Sequence, residues 1–315
     1  MHNLVYLYGT FFLVLLTFLI YLFNDGLAQS LCFLIPFLDK NPEKKMVCFN
    51  YLLPSWDANQ TWLVFCLALL YGGFPGIFST LIPNLYTSIF ILLVMFLLRG
   101  ACIEFIFKEK NFYKYLEYTL SFVSIGLLIM ESYILSNILI QLISLYLNIT
   151  IGFWYAFVLF LCVLSQIIVL NFSRSFSYLY LTYVNTIKYG FFAITLFHLL
   201  VVLVFLNVVH NLYVQFFSTM LDSILMVFLI MIMFCAENHK VTNLIETINK
   251  IIICLYLVIL ICFFLPIMHK LSIYCSYDFT LSILFWASII ILPFLFMSLL
   301  IVKKIFRRCV FALYY

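Results

Sequence analysis

Residues 282–302 read SILFWASIIILPFLFMSLLIV, and residues 251–266 read IIICLYLVILICFFLP. Neither run holds an Asp, Glu, Lys or Arg, and neither alternates apolar with polar positions. A transmembrane α-helix needs about 20 apolar residues, whereas a membrane barrel strand needs about 10 that alternate in polarity. Continuous runs of this kind specify helical spans and exclude a barrel. The rest of the chain agrees. Of its 315 residues, 67% are hydrophobic, 20% aromatic and 9% charged, with a mean hydropathy of +1.21. A soluble domain is about half apolar and about a quarter charged. Sixteen basic and 12 acidic side chains cannot wrap a globule of this size in polar surface. Soluble-enzyme classes are excluded, and the fold class is all-α integral membrane.

Apolar runs between polar breaks give nine transmembrane helices, at 4–23, 59–79, 81–98, 117–146, 149–171, 188–209, 212–235, 251–272 and 280–302. Asn24-Asp25-Gly26 breaks the first run, and Leu31–Leu38 after it is too short to span. It either continues the first helix or runs along the interface. Lys40, Lys44, Lys45, Arg99, Lys108, Lys110, Lys114, Arg174, Lys188, Lys240, Lys250, Lys303, Lys304, Arg307 and Arg308 fall on one side of this layout, and Lys270 alone on the other. Fifteen against one is a positive-inside pattern. It puts the N-terminus outside and the C-terminus in the cytoplasm. No loop is long enough for a separate domain, so residues 1–315 form a single polytopic membrane domain.

Other classes have little support. A net charge of +4 spread over short loops makes no nucleic-acid surface. The ten cysteines contain no CxxC pair, and most sit inside apolar runs as small hydrophobes. The first run lacks a basic n-region and an A-x-A cleavage site, so it reads as a retained span rather than a signal peptide.

Residues 25–104 hold a concentration of polar residues that the chain otherwise avoids. They run DGLAQSLCFLIPFL, a basic loop, N-x-x-x-P-x-WDANQTWL, GGFPG and LLRGACIEF. This signature segment, a quarter of the chain, resembles subunit II of cytochrome bd-type quinol oxidases, including the cyanide-insensitive branch. That family has an Asp-Gly pair closing its first helix and a Pro-x-Trp-Asp-Gly-Asn-(Glu/Gln)-x-Trp-Leu entry to its second. A Pro ends that second helix, and an Arg closes the third. The matching positions are Asp25, Gly26, Pro36, Asn50, Pro54, Trp56, Asp57, Asn59, Gln60, Trp62, Leu63, Pro75, Tyr86, Arg99 and Glu104. Departures are Ala28 for a second acid, Ser30 and Ala58 for glycines, and Leu67-Ala68 for a Gly-Gly pair.

The resemblance implies two four-helix bundles plus one extra helix. It also implies a heterodimer with a haem-bearing subunit I that holds haem b, a haem d-type group and the quinol site. The complex would oxidise quinol, reduce oxygen and take protons from the cytoplasm, in the bacterial inner membrane. This chain would be a scaffold and a proton conduit, not itself catalytic. A structural quinone or lipid between its helices is compatible with that reading.

Each polar residue also has a plainer role. Asp57, at the mouth of the second helix, would cap free N–H groups and suit the macrodipole. Alternatively, with Asn59 and Gln60, it would hold a water chain for protons. Asp25 would be a loop-end cap or a second proton-route group. Glu131 and Asp222 lie deep in their spans. They would be neutral carboxyls bonded to neighbouring acceptors, or part of a second proton path. Trp56 and Trp62 suit interfacial anchors, and for Trp62 the resemblance implies packing beside an oxygen route. Arg99 and Glu104 would pair across the cytoplasmic surface, and Gly26 and Pro75 would shape helix ends. A bis-His haem site needs two histidines at matching depth. Only His198 is deep, so no haem or metal ligation by this chain is expected. The rival class is a secondary transporter, which Glu131, Asp222 and the broken Gly72–Gly76 segment would suit. A structural subunit of another respiratory complex is the third reading.

Overall fold

The computed structural model describes residues 4–38, 42–106, 112–147, 152–179 and 272–312, with single positions at 200 and 258. Six α-helices fill it: α1 Leu4–Leu34, α2 Pro42–Gly73, α3 Pro75–Phe105, α4 Tyr113–Leu147, α5 Phe153–Leu179 and α6 Asp278–Ala312. Short 3-10 turns stand at Ile35–Phe37 and Ser272–Tyr274, and no strand occurs among the described residues. Four stretches are long and apolar enough to cross a membrane: Leu4–Phe37, Pro75–Phe105, Tyr113–Gln141 and Asp278–Ser298. The expected spans 59–79 and 149–171 are not among the four, and 188–209, 212–235 and 251–272 lie outside the described residues apart from positions 200, 258 and 272.

Three helix boundaries differ from the expected spans. The first helix runs past position 23 through Asp25-Gly26 to Leu34, the first of the two readings of the segment after that break. A glycine inside a helix costs only about 1 kcal/mol relative to alanine. Packing on both sides outweighs that, and the Asp25 charge finds a partner. The second helix starts at Pro42, not near Asn59. Proline suits a first helical position because its missing N–H would have been unpaired there. Pro54 then sits inside α2 and withdraws the donor for the Asn50 carbonyl. Third, α3 continues to Phe105, so Arg99 lies within it rather than closing it.

The break between α2 and α3 is a single residue, Phe74, at φ −132° and ψ 61°, with Pro75 opening α3. It lies in the Gly72–Gly76 segment, a few residues before the expected boundary. Ser276 finishes the α2 end: its backbone N–H donates to the Gly73 carbonyl at 2.9 Å, and its hydroxyl to the Gly72 carbonyl at 2.6 Å.

Two compact units are distinguished, Met1–Ile125 with Leu265–Tyr315, and Gly126–Phe264. In the first, α2 packs along α1, α3 and α6. Its buried stripe is Cys48, Leu52, Ser55, Asn59, Trp62, Cys66, Leu69 and Gly73, a strict alternation of four- and three-residue steps. The stripe on α1 is Leu7, Thr10, Val14, Thr17, Tyr21, Ala28 and Leu31, continued by Ile35 of the following 3-10 turn. Such spacing keeps two helices in contact over their whole length. Close approach fixes the neighbours. A Cβ on Gly9 would run into the Phe285 ring of α6, and one on Gly100 of α3 would lie 2.6 Å from Trp56 Cζ3 of α2. The second unit packs Leu127, Leu128, Ser132 and Ser136 of α4 and Val158, Cys162, Val163 and Ile167 of α5 into its interior. There Tyr133 meets Phe160 edge-on, with ring centroids 6.3 Å apart.

Candidate functional site

Asp25 and Arg99 form a bidentate ion pair between α1 and α3. Arg99 Nη2 donates to Asp25 Oδ1 at 2.7 Å, and Nη1 to Oδ2 at 2.9 Å. Gln29 Nε2, one turn further along α1, donates to the same Oδ2 at 2.9 Å. Asp25, Gln29 and Arg99 are all wholly buried. The Phe96 ring lies 5.3 Å from the guanidinium carbon, a cation–π contact. Taking either charge out of water alone would be prohibitive, and the fork geometry plus a third donor is what makes the pair tenable. Asp25 is therefore neither a loop-end cap nor a free carboxylate. Arg99 does not pair with Glu104, which is exposed five residues on. The helical register turns the two side chains to different sides of α3.

A second pair joins α2 to α4. Lys45 Nζ lies 2.6 Å and 2.7 Å from the two Glu117 carboxylate oxygens and 5.6 Å from the centre of the Tyr113 ring. Sequence reasoning missed this pair, as it missed Gln29. Lys45 had registered only as loop charge and Glu117 only as the start of a span. The i, i+4 spacing of Asp25 and Gln29 was the available signal for the first site.

The remaining expected residues are distributed along α2. Asp57 lies 15 residues into the helix, far from its N-terminus, so the capping reading fails. It is exposed, in a stripe with Thr61, Val64, Ala68 and Tyr71. Asn59 is the opposite case: wholly buried, with neither Nδ2 nor Oδ1 partnered among the described residues. Gln60 is half-buried, and its buried Nε2 also lacks a partner among them. Positions 57 and 59 are about 200° apart around the helix. The structure thus does not bring Asp57 and Asn59 together on one face.

Neither tryptophan is a free interfacial anchor. Trp62 is buried, and its ring meets Phe296 of α6 at 4.8 Å. Trp56, half-buried, lies against Gly100. Gly26 is buried inside α1, and Pro75 opens α3 rather than ending the second helix. Glu131 is buried in α4 and has an interaction partner. Asp222 lies outside the described residues, as do His2, His198, His210, His239 and His269, on which the no-haem expectation turns. Among the described residues, no three His, Cys, Asp or Glu side chains cluster as metal ligands would.

At one exit from the spans, Cys275 Sγ donates to the Ser272 carbonyl at 2.9 Å. Partial burial pushes its thiol pKa up from the ordinary value.

Comparison with known families is decisive. A model of the cytochrome bd terminal oxidase subunit II family matches residues 7–306. The chain belongs to that family. Similar relatives are cytochrome bd ubiquinol oxidase subunit 2 of Bacillus subtilis, 30% identical over 95 residues, 30% of this chain and 28% of the relative. Probable cytochrome oxidase subunit 2 of Haemophilus influenzae is 24% identical over 88 residues, 28% and 23% of the two chains. Cytochrome bd-I ubiquinol oxidase subunit 2 of Escherichia coli K12 is 24% identical over 82 residues, 26% and 22%. The chain thus spans about a quarter of the length of the curated relatives it matches. At these identities it is a divergent member of the bd subunit II family.

Proposed function

We propose that the chain is the subunit II of a bd-type terminal quinol oxidase, working as a heterodimer with a haem-bearing subunit I. In this reading it spans the bacterial inner membrane nine times, as two four-helix bundles plus one helix. Its N-terminus is outside and its C-terminus cytoplasmic. The partner holds the haem b and haem d-type groups, oxidises quinol and supplies the electrons that reduce oxygen. This chain ligates none of them. It shields the partner, carries cytoplasmic protons toward the oxygen-reducing site, and is compatible with a structural quinone or lipid.

The observation that carries this reading, beyond family membership, is the Asp57 stripe on α2. A carboxylate at mid-helix costs about 2.5–3.5 kcal/mol to place in hydrocarbon, so such residues face protein or water. Asp57 stands on an exposed face whose other members include Val64 and Tyr71, exposed by 64% and 62%. A protein partner on that face relieves both the apolar exposure and the charge. Asp57 is then at the joint of the two subunits, where a carboxylate can take a proton from one side and release it to the other. Asn59 and Gln60 extend the polar stretch into this chain, and the Asp25–Arg99 pair fixes the electrostatic field beyond them. The exposed Glu104 and the buried Glu131 are outside this route.

Gentle purification from the native membrane, a reduced-minus-oxidised spectrum and mass spectrometry of whatever accompanies the chain test the reading. Haem b and d-type bands and a second polytopic chain are expected, with the bands lost when this chain is isolated alone. Asp57→Asn should then abolish oxygen reduction while haem content is retained. A colourless protein without a haem-bearing companion would refute the proposal and make transport the activity to assay.

A further inference from the structure

One side of α4 carries a cation at the rim of its span and a ridge of bulky side chains beneath it. Lys114, Tyr115, Tyr118, Phe122 and Ile125 are all exposed, Tyr115 by 72% and Phe122 by 70%. All five belong to the first compact unit. At 100° and 1.5 Å per residue they lie within about 100° of one another around the helix and extend over about 17 Å. Half of a hydrocarbon core about 30 Å thick is about 15 Å. The span begins at Tyr113, so the ridge runs from the membrane rim to about the depth of one leaflet.

Glu117 is what leaves Lys114 free. Residues three apart on a helix are neighbours, and an acid at that spacing would ordinarily neutralise the lysine. Glu117 is instead buried and held by α2, where Lys45 Nζ donates to its two oxygens at 2.6 Å and 2.7 Å. Both charges of that clasp are committed to each other. Lys114 has no acid partner among the described residues. The sequence leading into α4 adds Lys108 and Lys110 against Glu109, so the local surplus is positive.

The polar groups on this side sit only at its rim. The Tyr115 and Tyr118 hydroxyls have no partner among the described residues. Thr119, also exposed, donates its hydroxyl to the Tyr115 carbonyl at 2.9 Å. Below Thr119 the ridge continues with Phe122 and Ile125 alone. A packed helix partner favours small side chains along the contact, and Tyr115, Tyr118, Phe122 and Ile125 are all large. One charged end above one apolar stretch is complementary to an amphiphile with an anionic head and an acyl tail. A lysine ammonium binds phosphate as a point charge, and phenol hydroxyls suit the headgroup level.

We propose that this side of α4 binds one anionic phospholipid, its phosphodiester on Lys114 and the Tyr118 hydroxyl and an acyl chain along Phe122 and Ile125. The site lies on the outward-facing side of a single helix, not between helices, and it stands independently of the oxidase reading. In the proposed orientation the lipid belongs to the cytoplasmic leaflet. The bound phosphate also keeps the Lys114 ammonium from competing with Lys45 for Glu117, so the lipid steadies the α2–α4 clasp.

The test uses the chain purified with its natural companions and washed in detergent to strip loosely held lipid. It is then titrated with dioleoylphosphatidylglycerol or with zwitterionic dioleoylphosphatidylcholine. Native mass spectrometry counts the lipids retained on this chain, and thermal unfolding reads the stabilisation that binding brings. The parent should retain one phosphatidylglycerol in preference to phosphatidylcholine and melt higher with it. Lys114→Gln should weaken that binding about fivefold, the effect of one cation at a membrane surface, and Lys114→Arg should keep it. Lys114→Gln/Tyr118→Phe should lose the preference. Equal retention of the two lipids by the parent would show an ordinary lipid-facing surface and overturn the proposal. A phosphatidylglycerol preference that survives intact in Lys114→Gln/Tyr118→Phe would put the lipid elsewhere and overturn it too. Should the double variant fail to assemble, the contrast between Lys114→Gln and Lys114→Arg decides the same question.

Discussion

Asp25→Asn keeps the side-chain shape and removes the charge that Arg99 was folded against. The pair makes two charge-assisted hydrogen bonds, at 2.7 Å and 2.9 Å. A hydrogen bond to a charged group contributes about 1.5–3 kcal/mol net, so two contribute about 3–6. An independent route reaches the same range: removing one member of a buried ion pair typically costs about 3–5 kcal/mol, because the other charge is left uncompensated. Solvent screening does not reduce this, since both side chains are at most 1% exposed. Asp25→Asn alone and Arg99→Gln alone should therefore each destabilise the chain by about 4 kcal/mol. The double variant leaves two neutral amides that can still bond to each other and to Gln29. It should be milder than the sum of the two by more than about 2 kcal/mol, within the range found for residues in one network. Denaturant unfolding of the purified chain with its companions, read by tryptophan fluorescence for all four members of the cycle, measures the coupling. Additive single effects, each below about 1 kcal/mol, would refute the claim that this pair holds α1 to α3.

Three further outcomes are expected. Gly100→Ala drives a methyl into the Trp56 ring and should cost about 1–3 kcal/mol, the usual range for overpacking; adding Trp56→Leu should restore most of it in the same unfolding assay. Lys45→Met leaves Glu117 largely buried without its cation and should cost about 3–5 kcal/mol; Lys45→Met/Glu117→Gln should recover most of it in the same unfolding assay. Cys275, with a raised thiol pKa, has less thiolate near neutral pH than an ordinary cysteine of pKa about 8.5. Its alkylation by a membrane-impermeant maleimide should be slow at pH 7 and accelerate at higher pH than usual. In spheroplasts it should proceed from the outer side if the proposed orientation holds.

The membrane class and the all-helical build were legible because they depend on local signals, unbroken apolar runs; the helix break at Phe74 fell inside the expected 59–79 span, whose boundary was put near residue 80. The family segment was legible because its polar residues stand out against an apolar background. What was misread has one physical cause. Asp25-Gly26 looks like a helix stop when only neighbours are considered, and Asp57 looks like a cap for the same reason. Arg99 looks like the partner of Glu104, the nearest acid in sequence. In each case a contact across the fold overrides the local preference. Asp25 is satisfied by a residue 74 positions away, and α2 begins well upstream because Lys45 and Cys48 have partners or packing on other helices. Asp25 and Arg99 as lone opposite charges inside neighbouring apolar runs were a usable signal, since such groups seldom remain single. Nothing comparable in the letters joined Lys45 to Glu117.

The bond from Ser276 to the end of α2 crosses 204 positions of chain, and this bears on biogenesis. A polypeptide emerging N-terminus first has α1, α2 and α3 in the bilayer long before Ser276 is made. Through that interval the Gly72 and Gly73 carbonyls lack the donors that finally bind them, and Gly9 lacks the Phe285 ring that fills its notch. A helix synthesised much later thus completes the unit that α1, α2 and α3 begin. Chains that stop short of Ser272 carry an unfinished joint at the end of α2, with the Gly72 and Gly73 carbonyls left without the Ser276 donors.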